Sequence, residues 1–172
     1  MEDYTVDIID TNDLFSINKD RNENQYDIEY SFGDESGEES ELSITIDDYS
    51  SEITNIHCFK KNIISALDKI TSPNKDGLER RPNAPFFPPK DFKITLPFRK
   101  IGDFDIDFSP ELMEITFKNG EPKSYYEGER LVAFYDENDD LLLIEIKNIT
   151  EEEYNKLIEY KKKQTEQYGI RK

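Results

Sequence analysis

Short segments in which apolar and polar residues alternate recur along most of this sequence. Alternation with a period of two is typical of a β-strand that buries one face and exposes the other. The alternating segments lie at 4–8, 26–32, 42–47, 92–98, 103–108 and 113–117. Residues 26–32 and 42–47 are joined by a polar stretch, which predicts an antiparallel hairpin with a long acidic tip at 33–41. The pattern therefore predicts antiparallel sheets.

Two further segments, Leu131–Tyr135 and Leu141–Ile146, are almost continuously apolar. Such runs are typical of strands that are buried on both faces. The residues between them, 136–140, are of the types that form turns. We expect a second hairpin here, at the centre of a sheet.

Two helices are predicted beside these strands. Residues 59–70 carry apolar side chains at spacings of three and four, which favours a helix of about three turns. Thr150 and Glu153 form a capping-box pattern at the start of a second helix at about 151–167, with Tyr154, Leu157 and Ile158 on its inner stripe. Helices beside antiparallel hairpins give the fold class α+β.

Five of the eight prolines fall within 71–91. Proline lacks an amide proton and fixes φ, so neither a helix nor a central strand is expected there. This connection would separate an acidic N-terminal lobe, 1–70, from a β lobe with a C-terminal helix, 92–172, unless the two form one continuous domain. Phe86 and Phe87 suggest that the connection is pinned to a core, and its formal PxxP matches favour a stiff loop.

Charge restricts the function classes. The net charge is -17, with -15 in residues 1–56, +6 in 57–100, -9 in 101–150 and +1 in 151–172. Nucleic acids and anionic membranes attract clustered positive charge, so we expect neither to be a direct partner. The absence of a long apolar run or a signal-peptide pattern, and the single cysteine, predict a cytoplasmic protein.

Few residues could perform catalysis. His57 and Cys58 are adjacent, and neighbours on a strand point to opposite faces, so a Cys–His pair is not expected. Asp136, Asn138 and Asp140 have the spacing of the first ligands of a calcium loop, but Leu141 replaces its glycine. Asp103, Asp105 and Asp107 could take part in a metal-dependent nuclease or transferase site, although successive carboxylates on one strand face diverge. No cofactor is predicted, and no enzyme.

The segment Leu131-Val132-Ala133-Phe134-Tyr135 through Asn148-Ile149-Thr150 resembles the end of a small, uncharacterised bacterial β-domain family. That family pairs two hydrophobic strands across an acidic turn and leaves through an Asn-apolar-Ser/Thr step. Asp140 stands where the family usually has glycine. The resemblance implies a β-hairpin and carries no activity with it.

The acidic residues are the remaining functional candidates. Strand alternation places Asp103, Asp105 and Asp107 on one face, opposite Phe104, Ile106 and Phe108, as a recognition surface or a solvated face. The hairpin tip would add five more partner-binding residues, namely Asp34, Glu35, Glu38, Glu39 and Glu41. Such a surface suits a basic protein. We expect a non-enzymatic inhibitor of a basic nuclease, toxin or defence effector, either an immunity or antitoxin-like protein or a phage-encoded DNA mimic. A structural or scaffold protein of a phage or mobile element is the alternative, and the Pro-Phe loop at 82–92 is the alternative binding surface.

Overall fold

The computed structural model of the chain describes residues 4–10, 13–19, 26–33, 40–60, 72–88 and 101–168. These residues form two β-sheets and one C-terminal helix, which confirms the α+β class. No helix among them is long and apolar enough to cross a membrane. The predicted strand at 92–98 lies outside the described residues.

The first sheet has five antiparallel strands. They are β1 (Thr5–Asp10), β2 (Asp13–Asn18), β3 (Asp27–Gly33), β4 (Ser40–Asp47) and β5 (Ile53–Lys60), in the spatial order β1-β2-β5-β4-β3. The predicted hairpin is confirmed, because β3 pairs with β4 from Asp27 opposite Asp47 to Gly33 opposite Glu41. The early strand predicted from Tyr4, Val6 and Ile8 is confirmed as β1.

The predicted helix at 59–70 is wrong at its start. Phe59 and Lys60 belong to β5, where they pair with Glu41 and Ser40 of β4. Buried and partly exposed side chains already alternate along β5, with Ile56 and Cys58 on its buried face. The pairing with β4 continues this strand through Lys60. Residues 61–70 lie outside the described residues.

The proline-rich connection is described from 72 to 88 and contains one two-residue strand, β6 (Glu79–Arg80). Its second half is fastened to the first sheet. Ile53 N donates to Ala84 O at 2.8 Å, and Phe86 N donates to Ser51 O at 2.9 Å. Phe86 is buried against the rings of Tyr30 and Phe32. The loop is therefore pinned to the core as predicted, although Phe87 remains 39% exposed.

The second sheet has six strands. The remaining five are β7 (Asp105–Phe108), β8 (Met113–Thr116), β9 (Ser124–Glu127), β10 (Leu131–Tyr135) and β11 (Leu141–Ile146), in the spatial order β6-β9-β10-β11-β8-β7. All pairs are antiparallel except β6 with β9. Both apolar runs form central strands that are buried along their whole length, as predicted. Strand β9, with its tyrosines, was not predicted.

The inner faces of the two sheets meet in one hydrophobic cluster. Two buried hydroxyl groups form hydrogen bonds within it: Tyr4 Oη donates to Ile53 O at 2.7 Å, and Tyr135 Oη donates to Pro85 O at 2.5 Å. A buried hydroxyl that pairs with a carbonyl group avoids the free-energy cost of an unsatisfied polar atom. These bonds help to fix the proline-rich loop and β5 relative to the strands around them.

Helix α1 (Glu151–Tyr168) is the last element of the described chain. The predicted capping box is confirmed, since Glu153 N donates to Thr150 Oγ1 at 3.1 Å and Thr150 N donates to Glu153 Oε1 at 3.0 Å. Leu157 is buried and Tyr154 packs edge-on against Phe108. Ile158, predicted on the inner stripe, is 36% exposed, so the buried stripe of the helix is narrower than its pattern suggested.

Candidate acidic interface

Two of the three predicted aspartates are exposed at the beginning of β7. Asp103 precedes the strand and accepts a hydrogen bond at Oδ1 from Phe104 N at 2.8 Å, and Asp105 is its first residue. Between them, Phe104 is buried in the core, and Ile106 follows Asp105 into it. Neither carboxylate forms a salt bridge with another described residue. The start of β7 therefore presents two carboxylates in solvent that no described residue neutralises.

Asp107 departs from the prediction. It is on the polar face of β7, but it is only 7% exposed, so the three aspartates do not form one exposed line. Asp107 is on the edge strand opposite Glu114 of β8, and both side chains are buried, so this face of the sheet is covered even at its edge. Sequence alternation assigns a residue to a face, but the burial of that face depends on what covers it.

Asp107 belongs to a row of carboxylates that crosses the second sheet, which we name the carboxylate row. Glu114 is opposite Asp107 on one side and opposite Glu145 of β11 on the other. Glu114 and Glu145 are buried as well. Directly opposed side chains in a sheet have Cβ atoms about 4.5–5.5 Å apart. Three acidic groups are therefore held close together and largely out of water.

Within the carboxylate row, the pKa of Glu145 is shifted by its surroundings. Burial raises the pKa of Glu145, and the charge of Glu114 raises it further, while a hydrogen bond with Ser72 opposes the rise. Ser72 N also donates to Glu114 Oε2 at 3.1 Å, from a backbone with a φ of +40° that side chains rarely adopt. Perturbed carboxyl groups of this kind occur at functional sites and in structural networks alike. Within the described residues, no group of three or more acidic, histidine or cysteine side chains has the geometry of a metal site.

Glu114 and Glu145 were not predicted as site residues from the sequence. Glu145 lies inside the apolar run of β11, which was predicted to be buried on both faces. A carboxylate inside such a run must itself be buried, so the signal for Glu145 was present. Glu114 alternates with Met113 and Ile115 as a solvent-facing residue would, and the strand pattern alone contains no sign of its burial.

The beginning of β7 lies next to the edge of the first sheet. Ile101 N donates to Ser31 O at 2.9 Å, and Gly33 N donates to Gly102 O at 2.8 Å. Residue numbers increase in the same direction in both segments, so the segment that leads to Asp103 runs parallel to β3. Asp103 therefore lies at the end of β3 from which the predicted acidic tip continues. The tip residues Asp34, Glu35, Glu38 and Glu39 lie outside the described residues.

Glu41 is the one acidic residue of the predicted tip that the structure describes. It is partly buried in β4, opposite Gly33. We name the group of Asp103, Asp105 and Glu41 the acidic edge. Its members come from two sheets, and only the hydrogen bonds between β3 and residues 101–102 place them at one end of the molecule. No local sequence pattern predicts that association.

Further exposed acidic residues lie at the opposite end of β3 and were not predicted as a site. Asp27 and Glu29 are exposed on β3 itself, and Asp48 is exposed just after β4. Asp48 N donates to Tyr26 O at 2.8 Å, which holds the two chain ends of the hairpin together. Exposed carboxylates thus lie near both ends of β3.

The other sequence candidates have structural roles in the described part of the chain. His57 and Cys58 point to opposite faces of β5, as predicted, with Cys58 fully buried and His57 partly exposed. In the turn after β10, Asp136 Oδ1 accepts hydrogen bonds from Asn138 N and Asp140 N. Lys118 forms salt bridges with both Asp136 and Asp140. Its ammonium group thus occupies the place beside these carboxylates that a cation would take.

A cavity of about 180 Å³ opens beside the acidic edge. Its wall contains four phenylalanines, Phe32, Phe86, Phe87 and Phe117, and Gly102, the residue before Asp103. Small-molecule pockets usually begin at about 300 Å³, so this cavity is sized for a single side chain. The comparisons with known proteins add no functional assignment: the sequence matches no protein-family model, and no curated protein is significantly similar to it.

Proposed function

We propose that the protein is a non-enzymatic, acidic inhibitor that binds a basic, nucleic-acid-acting protein in the cytoplasm of a bacterial or phage-infected cell. The partner class is a nuclease, a toxin or a defence effector. The observation that carries the proposal is the exposure of Asp103 and Asp105, without salt-bridge partners among the described residues, at the start of a strand whose other face is fixed in the core.

Fixed carboxylates suit this task for an electrostatic reason. Proteins that act on nucleic acids obtain most of their sequence-independent affinity from lysine and arginine contacts with phosphates. A protein surface that presents negative charge in a fixed arrangement can occupy the same basic groups. The like charges repel each other in the free protein, and a basic partner relieves that repulsion. Association should be fast and should weaken as salt is added.

The partner can be identified by affinity capture from the native cell at low and at moderate ionic strength. The captured protein is then purified, and its affinity for the inhibitor and for DNA or RNA is measured separately. We expect a basic protein whose nucleic-acid activity falls in proportion to complex formation. A captured partner that binds the inhibitor and nucleic acid at the same time, without loss of activity, would contradict the proposal.

The charge dependence is tested with Asp103→Asn and Asp105→Asn combined. This pair keeps the side-chain shape and removes two charges from the acidic edge. The control, Asp76→Asn with Glu121→Gln, removes the same charge from exposed positions elsewhere. We expect the first pair to weaken partner binding and to flatten its salt dependence, and the control to have a much smaller effect. Equal effects of the two pairs would mean that only net charge matters and that the acidic edge is not the binding site.

A further inference from the structure

Two tyrosines at one corner of the first sheet are almost fully exposed. Tyr49 is 98% exposed and Tyr26 is 82% exposed. Tyr26 directly precedes β3, and Tyr49 follows β4 by two residues, so both lie at the end of the hairpin opposite the acidic edge. Large aromatic side chains are usually buried in part, and tyrosine is enriched where proteins contact partners.

The turn that carries Tyr49 is rigidly held. The carboxylate of Asp47 accepts hydrogen bonds from Tyr49 N at 3.4 Å, from Ser50 N at 3.2 Å and from Ser50 Oγ at 2.7 Å. The bond with Ser50 is the main reason that the pKa of Asp47 lies below its usual value, so the carboxylate stays ionised and the bonds persist at neutral pH.

Backbone hydrogen bonds of Ser51 also hold the turn in place. Ser51 N donates to Asp47 O at 2.7 Å, and Ser51 O accepts the bond from Phe86 N in the proline-rich loop. Ser51 has a φ of +63°, in the left-handed region that is strained for a serine. The surrounding bonds hold it there. A surface presented on a turn of this kind loses little conformational entropy when a partner binds.

Carboxylates flank both tyrosines. Asp27 follows Tyr26, and Asp48 precedes Tyr49; both aspartates are exposed. The bond from Asp48 N to Tyr26 O brings the two pairs together. Exposed tyrosines and carboxylates that are neighbours in the chain suit the arginine side chain, whose planar guanidinium group stacks on rings and donates hydrogen bonds to carboxylates. Lysine, a compact point charge, gains less from the ring.

We propose that Tyr26, Asp27, Asp48 and Tyr49, which we name the aromatic corner, are a docking surface for arginine side chains of a basic protein partner. The occupant follows from charge complementarity and from the exposed rings. The inference rests on the proposed function in one respect, that the partner is basic. It adds that arginine is preferred over lysine and that this preference is located away from Asp103 and Asp105.

The test uses two fluorescent peptides of equal charge, octa-arginine and octa-lysine, and measures binding by fluorescence anisotropy at one fixed ionic strength. We expect the wild-type protein to bind octa-arginine more tightly. Tyr26→Ser and Tyr49→Ser should each weaken octa-arginine binding by about 2- to 5-fold, the size of one exposed cation–π contact, and should leave octa-lysine binding nearly unchanged. The Asp103→Asn and Asp105→Asn pair, as a control, should lower the affinity for both peptides alike.

A second measurement locates the contact. Ring-proton signals of Tyr26 and Tyr49, assigned from the two serine variants, should shift when octa-arginine is added and should shift less with octa-lysine. If the preference for octa-arginine persisted in the double tyrosine variant, or if the wild type showed none, the proposal that the aromatic corner binds arginine would be overturned. Neither result would affect the proposed function, which is judged separately by inhibition of the captured partner and by the acidic-edge variants.

Discussion

Arg130 joins three parts of the molecule, so its removal should destabilise the fold more than removal of other basic residues. Its guanidinium group donates to Glu153 Oε1 at 2.7 Å and to Glu153 Oε2 at 3.2 Å, which fixes the first turn of α1. It also donates to Lys147 O at 3.2 Å, after β11, and to Val6 O at 3.4 Å, in β1. The first sheet, the second sheet and the helix therefore share one side chain.

The size of the effect follows from burial and geometry. The two side chains of the pair are 20% and 16% exposed, so solvent screens the pair only in part. Hydrogen bonds to charged groups contribute about 1.5–3 kcal/mol, and the loss of one partner from a fully buried pair costs about 3–5 kcal/mol. For this partly exposed pair we expect Arg130→Met to lower the free energy of unfolding by about 2–3 kcal/mol, since methionine keeps the apolar stem.

The assay is urea unfolding followed by far-UV circular dichroism, with a thermal melt in parallel. A loss of about 2–3 kcal/mol corresponds to a Tm that is lower by roughly 4–12 °C in a chain of this size. Lys156→Met is the control, because Lys156 makes only a long, exposed contact with Glu152 at 3.9 Å. A double-mutant cycle with Glu153→Gln isolates the pair, since glutamine can still serve in a capping box. An Arg130→Met protein as stable as the control would show that Arg130 does not stabilise the contact between the two sheets and the helix.

Two other changes test the interior. Tyr135→Phe should lower the free energy of unfolding by about 1–3 kcal/mol, because Pro85 O would be left buried without its donor. The control is Tyr125→Phe, on a partly exposed ring, and both variants are compared in urea titrations. Equal losses of stability in the two variants would argue against the bond between Tyr135 and Pro85. The pKa of Glu145 is raised in the folded protein. Its protonation therefore contributes to the free energy of unfolding in full below the ordinary carboxyl pKa, and this contribution is lost as the pH rises through the pKa of the folded state. Glu145→Gln should therefore gain stability relative to wild type as pH rises, measured as the difference in Tm at each pH, and a pH-independent difference would show that Glu145 is not perturbed.

The local elements could largely be predicted from sequence because their causes are local. The alternation in 26–32 and 42–47 reflects strands with one buried face. The apolar runs of β10 and β11 reflect strands that are buried on both faces. The capping box of α1 depends only on Thr150 and Glu153. The error at Phe59 has a local cause as well: its spacing to Ile63 fits a helix, and the competing pairing of β5 with β4 is not visible in a short window.

The candidate site could be predicted only in part because it depends on contacts between distant segments. Alternation correctly placed Phe104, Ile106 and Phe108 in the core and Asp107 on the opposite face. It could not show that Glu114 and Glu145 would lie beside Asp107, since that follows from the spatial order of β7, β8 and β11. The hydrogen bond between Gly33 and Gly102 is likewise a long-range contact between two residues with no distinguishing pattern.

These placements change how the net charge of -17 bears on function. Glu145 is buried and burial favours its neutral form, so it contributes little to the field that a partner meets, while Asp107 and Glu114 are buried away from direct contact with a partner. Lys118 neutralises part of the charge of Asp136 and Asp140. Exposed carboxylates near the ends of β3, Asp103 and Asp105 among them, are the part of the surface charge that we assign to recognition. Replacement of Asp103 and Asp105 should weaken association with a basic partner, whereas replacement of Glu145 should alter stability and leave the affinity unchanged.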